Sequence, residues 1–374
     1  MLYNARGNDT GVSYHRRTAA RRRFCRKRSE QGARPYALCA PNAGQRDLEG
    51  LYGVRVLITG IAGFAGSHLA EHCLTRAGVE LHGVVRPRSS AHRHAAVLEH
   101  AHLHEADLTD AAVTARVVAE VQPERVFHLA AQASVAAAWA DPAQTFITNV
   151  VAQLNVILAL LAHAPTARLL VVGSGQEYGI VRPDELPVRE TNPLRPADPY
   201  AVSKVAQDLL GLQYYLSHRL HAVRVRPFNH IGPRQDPSFV VAAFAQQIAE
   251  IEAGKRPPVL RVGNLAARRD FSDVRDVVRA YWLALERGEP GEVYNVGSGR
   301  AVAVQEIVDT LLALARVPVR VERDPALLRP VDVPVIVSDC SRLRAATGWE
   351  PQIPLEESVR AVLDYWRSVT QEKA

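Results

Sequence analysis

The sequence predicts a doubly wound α/β fold, a parallel sheet covered by helices on both faces, with a smaller C-terminal α/β lobe. Three observations predict it. Short apolar, β-branched runs alternate with helical stretches from residue 54 onward, each run is closed by turn residues, and the first stops at Gly60 and gives way to a helix. Strands separated by helices require crossover connections, which impose parallel pairing and bury the sheet on both sides.

Each element has its own signal. Val54-Arg55-Val56-Leu57-Ile58-Thr59 is a strand, and a helix opens near Phe64 and runs to Ala77. A strand at 80–85, a short one at 101–104, a helix at 110–121 and a strand at 125–129 repeat the alternation. A long helix at 142–163 lies in the longest stretch free of Asp, Glu, Lys and Arg, from Pro142 to Ala167. Asn149, Gln153, Asn155 and His163 mark it as a buried helix rather than a membrane span. A strand at 168–173 leads to a helix at 199–219, with Asp198 as N-cap and Pro199 in the first turn, and then to a strand at 221–226. Beyond Arg226 the rhythm loosens at Pro227, Pro233 and Pro237. Helices near 238–253, 273–287, 303–315 and 355–368 mix there with short strands at 259–263, 293–296 and 317–322, and some of these segments are expected to cross back to the first sheet.

Composition narrows the function. The chain has 374 residues, 47% hydrophobic and 22% charged, which excludes disorder throughout. Its net charge of +6 is local: residues 1–50 hold 11 Lys and Arg against 4 Asp and Glu, and the remainder holds 34 against 35. Residues 1–50 read as a disordered basic tail, and nothing in the rest of the chain calls for nucleic acid. Arg21-Arg22-Arg23 is followed by no apolar segment, so export is not expected. The four cysteines show no CxxC pair and no metal-ligand spacing, which fits a reducing cytoplasm and a protein without a metal.

The chemistry begins at Gly60-Ile61-Ala62-Gly63-Phe64-Ala65-Gly66, between the first strand and its helix. Missing side chains let a pyrophosphate approach the backbone, and helix-terminal N–H groups bind its charge, so Gly60, Gly63, Phe64, Ala65 and Gly66 are cofactor-binding candidates. At the end of the second strand, where enzymes that bind NAD place a carboxylate, this chain has Arg86 and Arg88. Two arginines attract a 2′-phosphate, so NADP(H) is preferred and NAD(H) possible. Tyr200 and Lys204 fall one helical turn apart in Tyr200-Ala201-Val202-Ser203-Lys204, and a neighbouring ammonium should lower the tyrosine pKa toward a range useful for acid–base work. Outside the tail the only lysines are Lys204, Lys255 and Lys373, in a chain that otherwise uses arginine. Ser174 ends the strand at 168–173, at the carboxyl edge where doubly wound sheets bind ligands. The predicted organisation is the tail over 1–50, an NADP-binding Rossmann domain over 51–228 and a second, smaller lobe over 229–374.

Together the glycine turn, His128-Leu129-Ala130-Ala131-Gln132, Ser174 with Glu177-Tyr178-Gly179, and the Tyr200-to-Lys204 motif resemble the extended short-chain dehydrogenases/reductases that modify nucleotide sugars. The resemblance covers about residues 54 to 370. Within it, Arg226-Pro227-Phe228-Asn229-His230-Ile231-Gly232-Pro233, Val262-Gly263-Asn264-Leu265, Arg269-Asp270-Phe271 and Leu328-Arg329-Pro330-Val331-Asp332 resemble the GDP-mannose branch, and its 4-keto-sugar reductases more than its dehydratases. The resemblance implies that Asp107 and Leu108 lie against the adenine, Leu129, Ala130, Ala131 and Gln132 along the cofactor ribose and pyrophosphate, and His230 near the nicotinamide. It implies that Asn229, Val240, Asn264, Arg269, Arg329 and Asp332 hold GDP, and that the protein pairs as a homodimer through helices 142–163 and 199–219.

The reaction this implies is NADPH-dependent reduction of a 4-keto sugar, with Ser174, Tyr200 and Lys204 catalytic. A dehydratase or epimerase on the same scaffold, or a non-catalytic NADP-binding protein, are the other readings. Gln176 bears on the first of these. The dehydratases carry a glutamate two residues after the active-site hydroxyl, whereas an amide binds a sugar hydroxyl but takes no proton. Glu177, if the strand continues, points to the opposite face.

Overall fold

The computed structural model describes residues 53–87, 95–327 and 333–372. Its first elements are β1 (Val54–Thr59), α1 (Phe64–Leu74), β2 (Val79–Val85), α2 (Ala95–Leu98), β3 (His102–Glu105), α3 (Ala111–Val121), β4 (Arg125–His128), α4 (Val135–Ala140) and α5 (Pro142–Phe146). A π-helical turn (Ile147–Val151) joins α5 to α6 (Ala152–His163), followed by β5 (Arg168–Val172), α7 (Pro199–His218) and β6 (His221–Pro227). The chain continues through β7 (Asn229–Ile231), α8 (Val240–Glu252), β8 (Val259–Val262), β9 (Arg268–Asp273), α9 (Val274–Arg287) and β10 (Val293–Val296). It ends with β11 (Ala301–Ala303), α10 (Val304–Leu314), β12 (Arg320–Arg323), α11 (Ser341–Thr347) and α12 (Leu355–Glu372).

Seven strands form one sheet in the order β10-β6-β5-β4-β1-β2-β3, every pairing parallel. Alternation along the strands covers both faces. Val56, Ile58 and Phe127 pack against α1 and α9, while Leu57, Val126 and Leu169 pack against α3 and α6. The direction of strand addition reverses between β1 and β4, and doubly wound sheets bind ligands beside the carboxyl ends at such a reversal. The local signals for α7 are present: Pro199 is its first residue and Asp198 Oδ1 accepts from Ala201 N at 2.8 Å.

Two features depart from the sequence reading, and a third, β10, is among the C-terminal segments expected to cross back to the first sheet. β7, β9 and β11 form an additional three-stranded sheet; β7 and β11 are too short to carry a period and β9 is mostly polar. This sheet, with α8, α10 and α12, encloses a second core around Phe244, Phe271, Ile307 and Leu363. β10 joins the large sheet beside β6, and α9 and α11 share the first core with it. The helix at 142–163 is buried on one side only: Ile147, Val151 and Leu158 are exposed, whereas Asn149, Gln153 and Asn155 are buried.

Candidate active site

The turn after β1 is shaped for close approach. Gly60 has a φ of +72°, and a Cβ there would lie 2.9 Å from the Ala130 backbone. A Cβ on Gly66 would lie 2.2 Å from the Gly60 carbonyl oxygen, so α1 seats on the turn only with glycine at that position. Gly63 is the N-cap of α1 and no side chain caps the helix, which leaves its first N–H groups and the positive end of its dipole available to an anion. Phe64 and Ala65 are half-buried in the first turn, and Phe64 stacks on His230 with ring centroids 5.8 Å apart. The chain beyond His230 is clamped to α1 by Arg234, which pairs with Glu71 and His68.

The neighbouring strand ends complete this side. Arg86 is exposed just after β2, and Asp107, exposed, and Leu108, buried, follow β3. Hydrogen bonds from Thr109 hold the Asp107 carboxyl below its ordinary range, with the Arg86 charge adding to them. Leu129 N donates to Thr59 O and Ala130 N to Thr59 Oγ1, both at 3.2 Å, which locks the half-buried 129–132 segment against the end of β1. The structure therefore brings these predicted residues to one edge of the sheet. Arg88, Arg329 and Asp332 lie outside the described residues.

Ser174, Tyr200 and Lys204 are all buried at the end of β5 and the start of α7. Ser174 N-caps a 3₁₀ turn (Gly175–Tyr178), its Oγ accepting from Gln176 N at 3.1 Å, and it shares a side-chain hydrogen bond with Tyr200. Lys204 Nζ donates to Val172 O at 2.9 Å and lies 6.0 Å from the Tyr200 ring centroid. Burial pushes the Tyr200 phenol up to about 12, against the hydrogen bond from Ser174. Burial also brings the Lys204 ammonium down to about 8, against the attraction of Glu177. This corrects the expectation that Lys204 lowers the tyrosine. Loss of solvent dominates at both groups, and the phenol keeps its proton at neutral pH.

On the substrate side, Asn229 and His230 are half-buried in β7, whose register pairs Asn229 with Phe271 of β9, two residues from Arg269. Arg269 donates to Val333 O at 2.6 Å. Asn264 is exposed in the turn after β8, where its Oδ1 accepts from Ala266 N at 3.1 Å. Val240 opens α8 and packs on the second core.

A family model described as GDP-mannose 4,6 dehydratase matches residues 57–362. The chain belongs to this family. It is 36% identical to GDP-6-deoxy-D-mannose reductase of Pseudomonas aeruginosa, over 85% of this chain and 99% of that protein. Identity to GDP-mannose 4,6-dehydratase of Yersinia enterocolitica is 30%, over 81% of this chain and 91% of that one. Among solved structures, RMD from Pseudomonas aeruginosa complexed with NADPH matches with a TM-score of 0.74 at 35% identity, covering 84% of this chain and 99% of that one. Thermus thermophilus UDP-glucose 4-epimerase in complex with NAD matches with a TM-score of 0.75 at 32% identity, covering 84% and 99%. The fold is that of the extended short-chain dehydrogenases/reductases.

Two parts of this family member's site escaped the sequence reading. The strand does not continue through Gln176 and Glu177. The chain turns into the 3₁₀ helix, so face alternation does not apply; Glu177 is turned inward because its Oε1 accepts from Ser174 N at 2.7 Å while Gln176 is half-buried. Asn149, on the π-helical turn, accepts from Gln132 N at 2.7 Å and donates to Gln132 O at 3.1 Å and Ser203 Oγ at 2.9 Å, tying the 129–132 segment to α7. An asparagine inside an apolar helix was the available signal, and it speaks equally for a buried anchor and against a membrane span.

Proposed function

We propose that the protein is an NADPH-dependent reductase that converts GDP-4-keto-6-deoxy-D-mannose to a GDP-6-deoxyhexose such as GDP-D-rhamnose. The observation that carries this reading is that Ser174, Tyr200 and Lys204 are all buried where β5 ends and α7 begins, with burial keeping the Tyr200 phenol protonated: the two hydroxyls are a donor set for a developing oxyanion. The substrate class is supported by the reductase of Pseudomonas aeruginosa, which this chain matches over 99% of that protein.

The turn fits a dinucleotide, since a Cβ would fill the space at Gly60 or Gly66 and the uncapped start of α1 offers N–H groups to a diphosphate. Gly60, Gly63, Phe64, Ala65 and Gly66 would hold the pyrophosphate, Asp107 and Leu108 the adenosine, and Leu129, Ala130, Ala131 and Gln132 the stretch between. Tyr200, Lys204 and His230 would take the nicotinamide end. Exposed Arg86 supports NADPH over NADH, because a guanidinium forms charge-assisted hydrogen bonds with a 2′-phosphate. NAD(H) stays a possible second choice. When bound, NADPH supplies the hydride for C4 of the sugar.

Ser174 Oγ donates a hydrogen bond to the keto oxygen and Tyr200 Oη delivers its proton there as negative charge develops. The Lys204 ammonium then faces the phenolate that is left and favours it. Asn229, Val240, Asn264 and Arg269 contact GDP, with Arg269 suited to diphosphate oxygens; Arg329 and Asp332 join this set from the sequence motif alone. Gln176 contacts the sugar, and its amide cannot remove the C5 proton that dehydration requires. The test supplies the keto sugar or GDP-mannose to the pure protein. Stoichiometric NADPH oxidation with the first and no keto product from the second is expected; release of 4-keto-6-deoxy sugar from GDP-mannose would overturn the reading.

The proposal includes a second copy of the chain. Ile147, Val151 and Leu158 on one helix and Val202, Leu209 and Leu216 on α7 are exposed apolar side chains on the helices expected to pair. Light scattering of the parent and of Leu209→Glu should give a dimer and a monomer respectively. A cytoplasmic location suits Cys73 and Cys340, which are free and buried.

A further inference from the structure

We propose that Glu177 is a positioning residue whose buried carboxylate fixes Ser174 and holds a negative charge beside the Lys204 ammonium. The inference deepens the reductase reading and rests on it for the roles of Ser174 and Lys204.

Glu177 is 0% exposed. Its Oε1 accepts from Ser174 N at 2.7 Å, and its Oε2 pairs with Arg226 Nε at 2.9 Å. Space for it is specific: a Cβ on Gly173 would lie 2.2 Å from Glu177 Oε1. Lys204 Nζ bonds the carbonyl of the preceding residue, Val172, at 2.9 Å. Ammonium and carboxylate therefore hold consecutive peptides, Lys204 the Val172–Gly173 carbonyl and Glu177 the Gly173–Ser174 N–H.

Arg226 has a second carboxylate partner besides Glu177. From β6, Arg226 also donates to Asp208 Oδ2 at 3.1 Å and to Tyr178 Oη at 3.0 Å, and Arg224 donates to Asp208 Oδ1 at 2.9 Å. From α7 come Asp208 and Lys204, the turn itself contributes Tyr178, and from β4 the buried His128 faces Lys204, whose charge adds to burial in holding the imidazole down to about 3. Two arginines and Lys204 thus face two carboxylates; removing Glu177 leaves Asp208, which both arginines already bond, as the remaining carboxylate of this group, and takes from Lys204 the attraction of Glu177. Burial and the Asp208 charge push the Glu177 carboxyl up to about 8, against Arg226, the Ser174 N–H and Lys204, so it becomes charged over the same range in which Lys204 gives up its proton; Tyr178 and Phe228 nearby belong to an apolar cluster that an apolar side chain could extend. Among the described residues, Glu177 is the carboxylate that both holds the Ser174 backbone and opposes the loss of charge at Lys204.

Glu177→Gln retains an acceptor for Ser174 and removes the charge. Full-length protein isotope-labelled at lysine Cε contains only Lys27, Lys204, Lys255 and Lys373, so Lys204 can be titrated by NMR, with Lys204→Met assigning its signal. The Lys204 midpoint should fall by roughly one unit in Glu177→Gln, and the high-pH limb of kcat should move down with it while KM for NADPH changes less than about threefold. An unmoved Lys204 midpoint overturns the proposal. Glu177→Asp keeps the charge and shortens the reach to Ser174, so its midpoint should stay near the parent's while kcat drops. A midpoint displaced as far as one unit there also overturns it, even if Glu177→Gln fails to fold. If the parent oxidises no NADPH with the keto sugar, the reductase reading fails, while the NMR titration still decides the charge pairing.

Discussion

Replacing Lys204 with Met should stabilise the cofactor-free protein at neutral pH while abolishing its turnover. Lys204 is 5% exposed, and burial lowers its pKa from 10.5 to about 8. That drop corresponds to about 3 kcal/mol, the cost of keeping the amine charged in the folded state. Because the folded pKa lies below the unfolded one, the penalty is complete below about 8, shrinks as pH rises from there to 10.5, and is absent above. Methionine fills the same unbranched volume but gives up the bond to Val172 O, a loss of about 1 kcal/mol. The net gain at neutral pH is about 2 kcal/mol, turning into a small loss above 10.5. Urea unfolding of parent and variant across this pH range reads both the size and the slope. A variant less stable than the parent at neutral pH, or a difference that does not change with pH, would refute the reasoning.

Tyr200→Phe keeps the ring and removes the proton donor, so turnover should fall about 10²-fold or more while NADPH binding, measured by fluorescence titration, persists. Arg86→Asp places a carboxylate where a 2′-phosphate is expected and should narrow or invert the preference for NADPH, read from kcat/KM with both cofactors. Gly66→Ala forces a Cβ to within 2.2 Å of a backbone oxygen. The displaced turn should weaken NADPH binding by about tenfold or more, measured as Kd, with a lower melting temperature in the same variant.

Local chemistry along the chain was enough for the first sheet and for the candidate residues. Strand and helix periods placed β1 through β6, Asp198 and Pro199 set the start of α7, and three glycines marked the turn that a Cβ at Gly60 or Gly66 would obstruct. These properties depend on neighbours a few residues away, which a sequence displays directly. What distant parts of the chain do to one another was not displayed. β10 pairs with β6 across three intervening strands and two helices; Asn149 reaches Ser203; and the turn after Ser174 sends Glu177 to Arg226. The proton on Tyr200 belongs with these. Spacing shows that Lys204 is adjacent, yet the side chains that exclude water from both groups come from separate elements, and that desolvation outweighs the attraction the spacing suggests. The sequence by itself determined which residues could do the chemistry, because their types and local spacing are written in it. Only the tertiary structure decided their protonation and their partners, because burial and long-range pairing exist only once the chain has closed around them.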